Sequence, residues 1–380
     1  MAAAVANKDC DPFTPREQPC LPGQSVAFSV NASGPADFAR AIRFAQSENI
    51  RLVIHNTGHD YLGKSTGKGA LSVWTHYMKD VQFVDYNSAY YTGPAIKLGA
   101  GIQVEEAYEA AHQRNALVVG GDCATVGVVG GYLQGGGHSA LSSLYGLAAD
   151  HTLEWEVVDG TGRLHIATPE RNADLYWALS GGGGGTYGIA SSVTIKLHPD
   201  LPLTGVAMSF DLDPQHPQAF HRAVSKYHEL VPRITASRGM GIAAITNSSF
   251  LLTPLTLPHV SGTGAIDLIM PLLTELDDQG VRYSLNITES PNWLEYWTRL
   301  IKPNPTQLVE NGQYGGWMVP RSVVEADGDD LQSAVQHITD AGCTFVGLAL
   351  NVSLPEGGSR VRNSVLPAWR EAAMNVILST

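Results

Sequence analysis

Apolar side chains first recur at helical spacing around Phe38, Ala39, Ile42 and Ala45, with Phe44 nearby. They predict a helix over residues 36–48, and the apolar run at 51–54 predicts a buried strand. Residues 95–98 read as a short strand and 104–112 as a helix with Glu105 and Glu106 in its first turn, where carboxylates offset the helix dipole. Residues 116–119 read as another strand. Segments 154–158 and 163–167 alternate about Asp159-Gly160-Thr161-Gly162, a hairpin signal, and are followed by a short helix at 173–179 and a strand at 189–197. Past the Pro-rich residues 199–202 the glycine density drops, which marks a boundary. Strands are then predicted at 205–212, 241–246, 281–287 and 344–352, with helices at 218–230, 266–276 and 331–341. The fold class expected is α+β, ending in an antiparallel sheet with helices on one side.

A length of 380 residues suits two domains better than one core. The formal charge of -12 argues against nucleic acid or an anionic membrane as the main partner. No apolar run approaches the length of a membrane span, and the first eight residues lack the charged-then-apolar order of a signal peptide. Four cysteines are too few for a disulfide framework, although Cys10 and Cys20 flank a Pro-rich segment and could close one small loop. Glycosylation acceptors at Asn31, Asn247, Asn286 and Asn351 fit a secreted protein, and the same three-residue pattern also arises by chance.

Two loops carry the chemistry. Asn56-Thr57-Gly58-His59-Asp60-Tyr61-Leu62-Gly63-Lys64-Ser65-Thr66 and Gly120-Gly121-Asp122-Cys123-Ala124-Thr125-Val126-Gly127 each set one nucleophile in a glycine-rich turn. Glycine there lets backbone N–H groups close on a phosphate or a ring. The first loop also satisfies the P-loop pattern Gly-x4-Gly-Lys-Ser, but residues 66–74 carry two glycines and β-formers where the phosphate-facing helix would start. Gly183-Gly184-Gly185-Thr186-Tyr187-Gly188 fits a dinucleotide fingerprint, yet helix precedes it and strand follows, the reverse of the required order. His55 and His59 have the spacing of a metal pair but lack a third ligand, so no metal is assigned. Trp293, Tyr296 and Trp297 cluster at helical spacing and read as core packing before they read as a substrate cleft.

With Gly135-Gly136-Gly137-His138 and the glycines at 181–185, these loops resemble the berberine-bridge-enzyme-like branch of the FAD-linked oxidases, within the vanillyl-alcohol-oxidase superfamily, fungal type. The resemblance implies a PCMH-type FAD-binding domain over 26–199 after an N-terminal segment 1–25, and a substrate-binding domain over 200–380. It implies bicovalent FAD, with His59 bonded to the flavin 8α carbon and Cys123 to C6, although Ala124 stands where proline is common. Thr57, Gly58, Asp60, Gly63, Ser65, Val126, Gly127, Gly131, Gly137, Gly188 and Ile189 match cofactor-binding positions. Val126 matches the place where a small residue admits dioxygen, and His138 the substrate side, where an imidazole suits a base. The implied reaction takes hydride from a small-molecule substrate and passes the electrons to dioxygen, giving hydrogen peroxide. A secondary metabolite is the first expectation for that substrate and an oligosaccharide the second. Relatives carry a C-terminal return segment ending near Tyr-Asp-Pro, whereas this sequence stops at Thr380, so a truncated, non-catalytic flavin binder is the reading of another class. Secretion would follow if a leader preceded Met1. Oligomeric state is left open.

Overall fold

The computed structural model describes residues 15–19, 23, 25–303, 313–326, 328–353 and 362–380, so the bridge between Cys10 and Cys20 lies outside the described residues. Three parallel strands, β1 (Phe28–Asn31), β2 (Leu52–His55) and β3 (Leu71–Trp74), pair in the order β1-β3-β2. Between β1 and β2 runs helix α1 (Pro35–Ser47), which starts with proline where the missing N–H would have had no helical partner. It buries Phe38, Ala39, Ala41, Ile42 and Ala45.

Next come β4 (Val81–Asn87), β5 (Thr92–Gly99), α2 (Val104–His112), β6 (Ala116–Leu117), α3 (Ser142–Tyr145), β7 (Thr152–Val158), β8 (Leu164–Ala167), α4 (Ala173–Leu179), β9 (Ile189–Lys196) and β10 (His198–Pro199). Five of these strands form an antiparallel sheet of order β4-β5-β9-β7-β8, while β6 pairs with β10. Every residue of β9 is buried, as expected of the sheet's central strand.

The second half is one seven-stranded antiparallel sheet. Its strands are β11 (Leu203–Asp211), β12 (Met240–Ile245), β13 (Ser249–Pro258), β14 (Tyr283–Ser290), β15 (Tyr314–Pro320), β16 (Thr344–Ala349) and β17 (Ala372–Ser379), in the order β14-β11-β13-β12-β16-β17-β15. Helices α5 (Pro217–Ala236) and α6 (Gly262–Asp278) pack together on one face. The short α7 (Trp293–Tyr296) meets the other face, where Gly205 of β11 leaves room for Tyr296 and Leu300. Helices α8 (Arg321–Ala326) and α9 (Gly328–Asp340) join α5.

Strand alternation divides this sheet between two cores. Ala243, Ile245, Phe345, Ala349, Met374 and Val376 face α5 and α6, whereas Met240, Ile242, Val346, Leu348 and Ile377 belong to the core of the first half. The sheet is therefore apolar on both faces in its middle. After β16 the chain turns to the first half: Leu350, Val352 and Val365 enter its core, and the Asn351 N–H donates to Ser143 Oγ. Arg370 forms a bidentate pair with the buried Asp150 at 2.6 and 2.8 Å, and Asn363 Nδ2 donates to the same carboxylate at 2.7 Å. Burial opposes the charge on Asp150, but Arg370, the Leu147 N–H and Asn363 outweigh it and hold its pKa below the ordinary value.

Candidate active site

The Cys123 loop caps a helix. The first turn of α2 has N–H groups with no partner inside the helix, and two of them are satisfied by the loop: Val104 N–H donates to Val126 O and Glu105 N–H to Ala124 O. Gln103 Nε2 donates to Thr125 O at 2.9 Å, and Glu106 closes a capping box on the Gln103 N–H. On the other side of the loop, Tyr108 Oη donates to Gly121 O and Trp297 Nε1 to Asp122 O. Trp293, Tyr296 and Trp297 are fully buried, so they are core residues; Trp297 also fixes the turn that presents Cys123. Its ring meets Tyr108 edge-on at 5.1 Å, a contact worth about 1 kcal/mol beyond area.

The His59 loop is shaped by Asp60. Its carboxylate accepts from the N–H groups of Leu62, Lys64 and Ser65, folding the glycine-rich turn around one side chain. His55 Nδ1 donates to Ser65 O at 2.9 Å, which gives that histidine a structural task. Beyond Ser65 the chain turns into β3 with no intervening helix, so the P-loop arrangement is not formed.

Both loops open on one cavity of about 480 Å3. His59 Nε2 lies 2.8 Å from Thr125 Oγ1, a hydrogen bond that joins the two loops directly. Partial burial lowers the pKa of His59, which keeps the imidazole neutral at neutral pH with a lone pair available. Burial and, after it, the Asp122 carboxylate raise the pKa of Cys123, so its thiol is protonated at rest. Among the expected cofactor residues, Thr57, Gly58, His59, Asp60, Ser65, Cys123, Val126, Gly127, Gly131 and Gly188 line the cavity; Gly63, Gly137 and Ile189 do not, and neither does His138, the expected catalytic residue. Gly137 packs on Tyr132 and Ala148, and Ile189 is buried in the core. His138 stacks with Trp369 at 6.5 Å, its buried Nδ1 lacking a partner among the described residues.

Sequence reasoning missed two wall residues. Asn56 Nδ2 donates to Thr75 Oγ1 and Ala100 O, and Gln134 Nε2 donates to Val129 O at 2.9 Å. Their oxygens, Asn56 Oδ1 and Gln134 Oε1, are buried without a partner among the described residues, and both residues line the cavity. The available signal was a carboxamide inside each of two glycine-rich apolar stretches, where burial demands hydrogen bonds. Gln134 also organises the glycine run, because its carbonyl accepts from Gly181 and Gly183.

Residues 26–168 match the FAD binding domain family. The chain is similar over its whole length to the FAD-linked oxidoreductase patO of Aspergillus clavatus, at 60% identity, and covers 66% of that protein. It is 43% identical over 301 residues to the FAD-linked oxidoreductase sthB of Phaeosphaeria nodorum, covering 95% of it. Its structure resembles that of a VAO-type flavoprotein from Myceliophthora thermophila C1, with a TM-score of 0.90 and 39% identity over 98% of this chain and 68% of that one. This chain belongs to the VAO-type FAD-linked oxidoreductases.

The cavity fits the family's cofactor. A Cβ on Gly127 would overlap Asn56 Oδ1, and one on Gly184 would come within 2.9 Å of the Gly131 Cα, so two backbone walls stand at glycine-only spacing. Asn56 and Gln134, whose buried amide oxygens have no partner among the described residues, both belong to the wall of this cavity. A second hollow of about 580 Å3, lined by Gln46, Asn49, Asp159 and Tyr187, adjoins the first through Ile54, Gly185 and Gly188. Sites of this family place a long dinucleotide, and two adjoining hollows suit that shape.

Proposed function

We propose that the chain is the flavin-holding part, with much of the substrate cover, of a fungal oxidase that carries FAD on two covalent bonds, through His59 and Cys123, and acts on a small secondary metabolite. The observation that carries this reading is the hydrogen bond between His59 Nε2 and Thr125 Oγ1, which brings the two nucleophile-bearing loops to one glycine-walled cavity. Bound FAD would supply a hydride acceptor for a substrate carbon bearing oxygen or nitrogen, with dioxygen as the final electron acceptor and hydrogen peroxide as the product.

The chain's own residues do the rest. The glycines at 127, 130–131 and 183–185 line the cavity that would hold the cofactor, and Asn56 and Gln134 stand in the same wall. Val126 keeps a small side chain on the cavity wall, which favours access for dioxygen. His138 lies one layer behind, and its free Nδ1 makes it the candidate proton acceptor on the substrate side. Two covalent bonds retain the cofactor without deep burial and leave room for a bulky substrate.

The full-length protein, purified and tested with a panel of alkaloid-like alcohols and oligosaccharides, decides the matter. Bleaching of the yellow colour without air, and one peroxide per substrate on aeration, are expected with the alcohols. Peroxide with sugars alone would overturn the substrate assignment, and bleaching without peroxide would overturn the oxidase assignment.

A further inference from the structure

The exposed aromatic residues around the cavity are not distributed evenly. Tyr61 lies on the cavity wall, in the loop that carries His59, yet is 52% exposed. Facing it across the mouth is Tyr314, the first residue of the edge strand β15, 38% exposed. The two rings come from opposite halves of the chain, and their centroids are 6.1 Å apart with a 37° tilt. Among the described residues neither hydroxyl has a hydrogen-bond partner, so each phenol offers a ring face and a free O–H. Tyr61 is also close to the chemistry: burial raises its pKa, and the neighbouring Cys123 and then Tyr314 add to that rise.

The strand face beside Tyr314 is set by register. Tyr314, Gly316 and Met318 of β15 pair with Ser379, Ile377 and Asn375 of β17, and paired residues share one side of the sheet. That side presents apolar and small polar groups and no ionised side chain at these six positions. An aromatic ring arriving there meets a flat glycine floor, a thioether and two tyrosines.

We propose that Tyr61 and Tyr314 form a paired aromatic clamp at the cavity mouth whose exposed outer faces select a substrate carrying a planar, uncharged ring and seat it against the reacting end of the site. This deepens the functional reading above and rests on it for the position of the reacting end. The two rings already touch, so a substrate ring lies on the outer face of either tyrosine at the usual 4.5–7 Å centroid spacing, and a saturated ring of the same size loses that stacking.

The test pairs two probes, 2-naphthalenemethanol and its decahydro counterpart, which differ chiefly in flatness. Saturation-transfer NMR on the purified protein gives their relative affinities, and the visible spectrum of the same sample reports flavin. The flat probe should bind about tenfold more tightly in the parent. Tyr314→Ala should erase that preference while Tyr314→Phe keeps most of it, and Tyr61→Ala should act like Tyr314→Ala. Equal affinity of the parent for both probes, or an undiminished preference in Tyr314→Ala, overturns the clamp. Because NMR needs no flavin, a preference in a colourless sample would support the clamp and refute the functional reading. A yellow sample with no preference would do the reverse.

Discussion

The two halves of this molecule leave polar atoms unpartnered in different places. In the first half, Asn56 Oδ1 and Gln134 Oε1 have no partner among the described residues and belong to residues that line the cavity, with Gly127 packed against Asn56. In the second half, the Tyr227 hydroxyl has no partner among the described residues and lies beside His228 in an apolar core against Phe250 and Phe345. The first kind stands in the wall of a site that fits a cofactor. The second follows from packing in a core, where burial keeps His228 neutral at about 4. An unsatisfied buried group therefore points to a ligand only where its residue lines a cavity.

The largest effect is expected where the halves are joined. Asp150→Ala leaves the Arg370 guanidinium half-buried and without its carboxylate, and should destabilise the protein by about 3 kcal/mol, read by urea unfolding. Loss of both halves in one transition would show that the joint serves them equally; two separate transitions would sharpen the contrast between them.

Acid should act on the first half next. His151 is held at about 4 and His198 at about 3, chiefly by burial, with His198 Nε2 3.0 Å from His151 Nδ1. Both are neutral in the folded state and bind protons near 6.5 when unfolded. Their stabilisation is complete above pH 6.5 and is lost as pH falls from 6.5 toward 4 and 3, on the order of 3 kcal/mol per imidazole. The melting temperature should fall through that window, and His198→Gln should flatten the slope; an unchanged slope would place the acid sensitivity elsewhere.

Gly127→Ala should lower cofactor occupancy at least tenfold, because the added methyl displaces Asn56, while the apoprotein loses about 1–3 kcal/mol of stability. Tyr227→Phe should do neither, shifting stability by about 1 kcal/mol at most and leaving occupancy intact. If Tyr227→Phe lowered occupancy, the distinction between the two kinds of orphan would fail.

These contrasts were partly legible in the chain. Helix 173–179 and the hairpin about residues 159–162 follow from periodicity and turn chemistry, which are local. The two loops could be read because glycine and nucleophile spacing is written in sequence. Strands β13, β15 and β17 were missed for separate reasons. β13 contains Pro254 and Pro258, β15 carries Gly315 and Gly316 at a sheet edge, and β17 is an apolar run interrupted by Asn375 that lacks a strict alternation. The strand expected at 344–352 ends at Ala349 because Leu350 and Val352 are needed by the other half's core. Asn56, Gln134 and the Trp297 bond to Asp122 O are tertiary facts, visible only once distant backbone is brought together. The same holds for His138, whose place behind the wall depends on Trp369.

The central claim is that His59 and Cys123 meet one cofactor, and the intact mass of the denatured protein tests it most directly. One FAD mass should be added in the parent, in His59→Ala and in Cys123→Ala, and none in the double variant. A denatured parent at its unmodified mass, with yellow colour released into solution, would contradict covalent attachment at either residue.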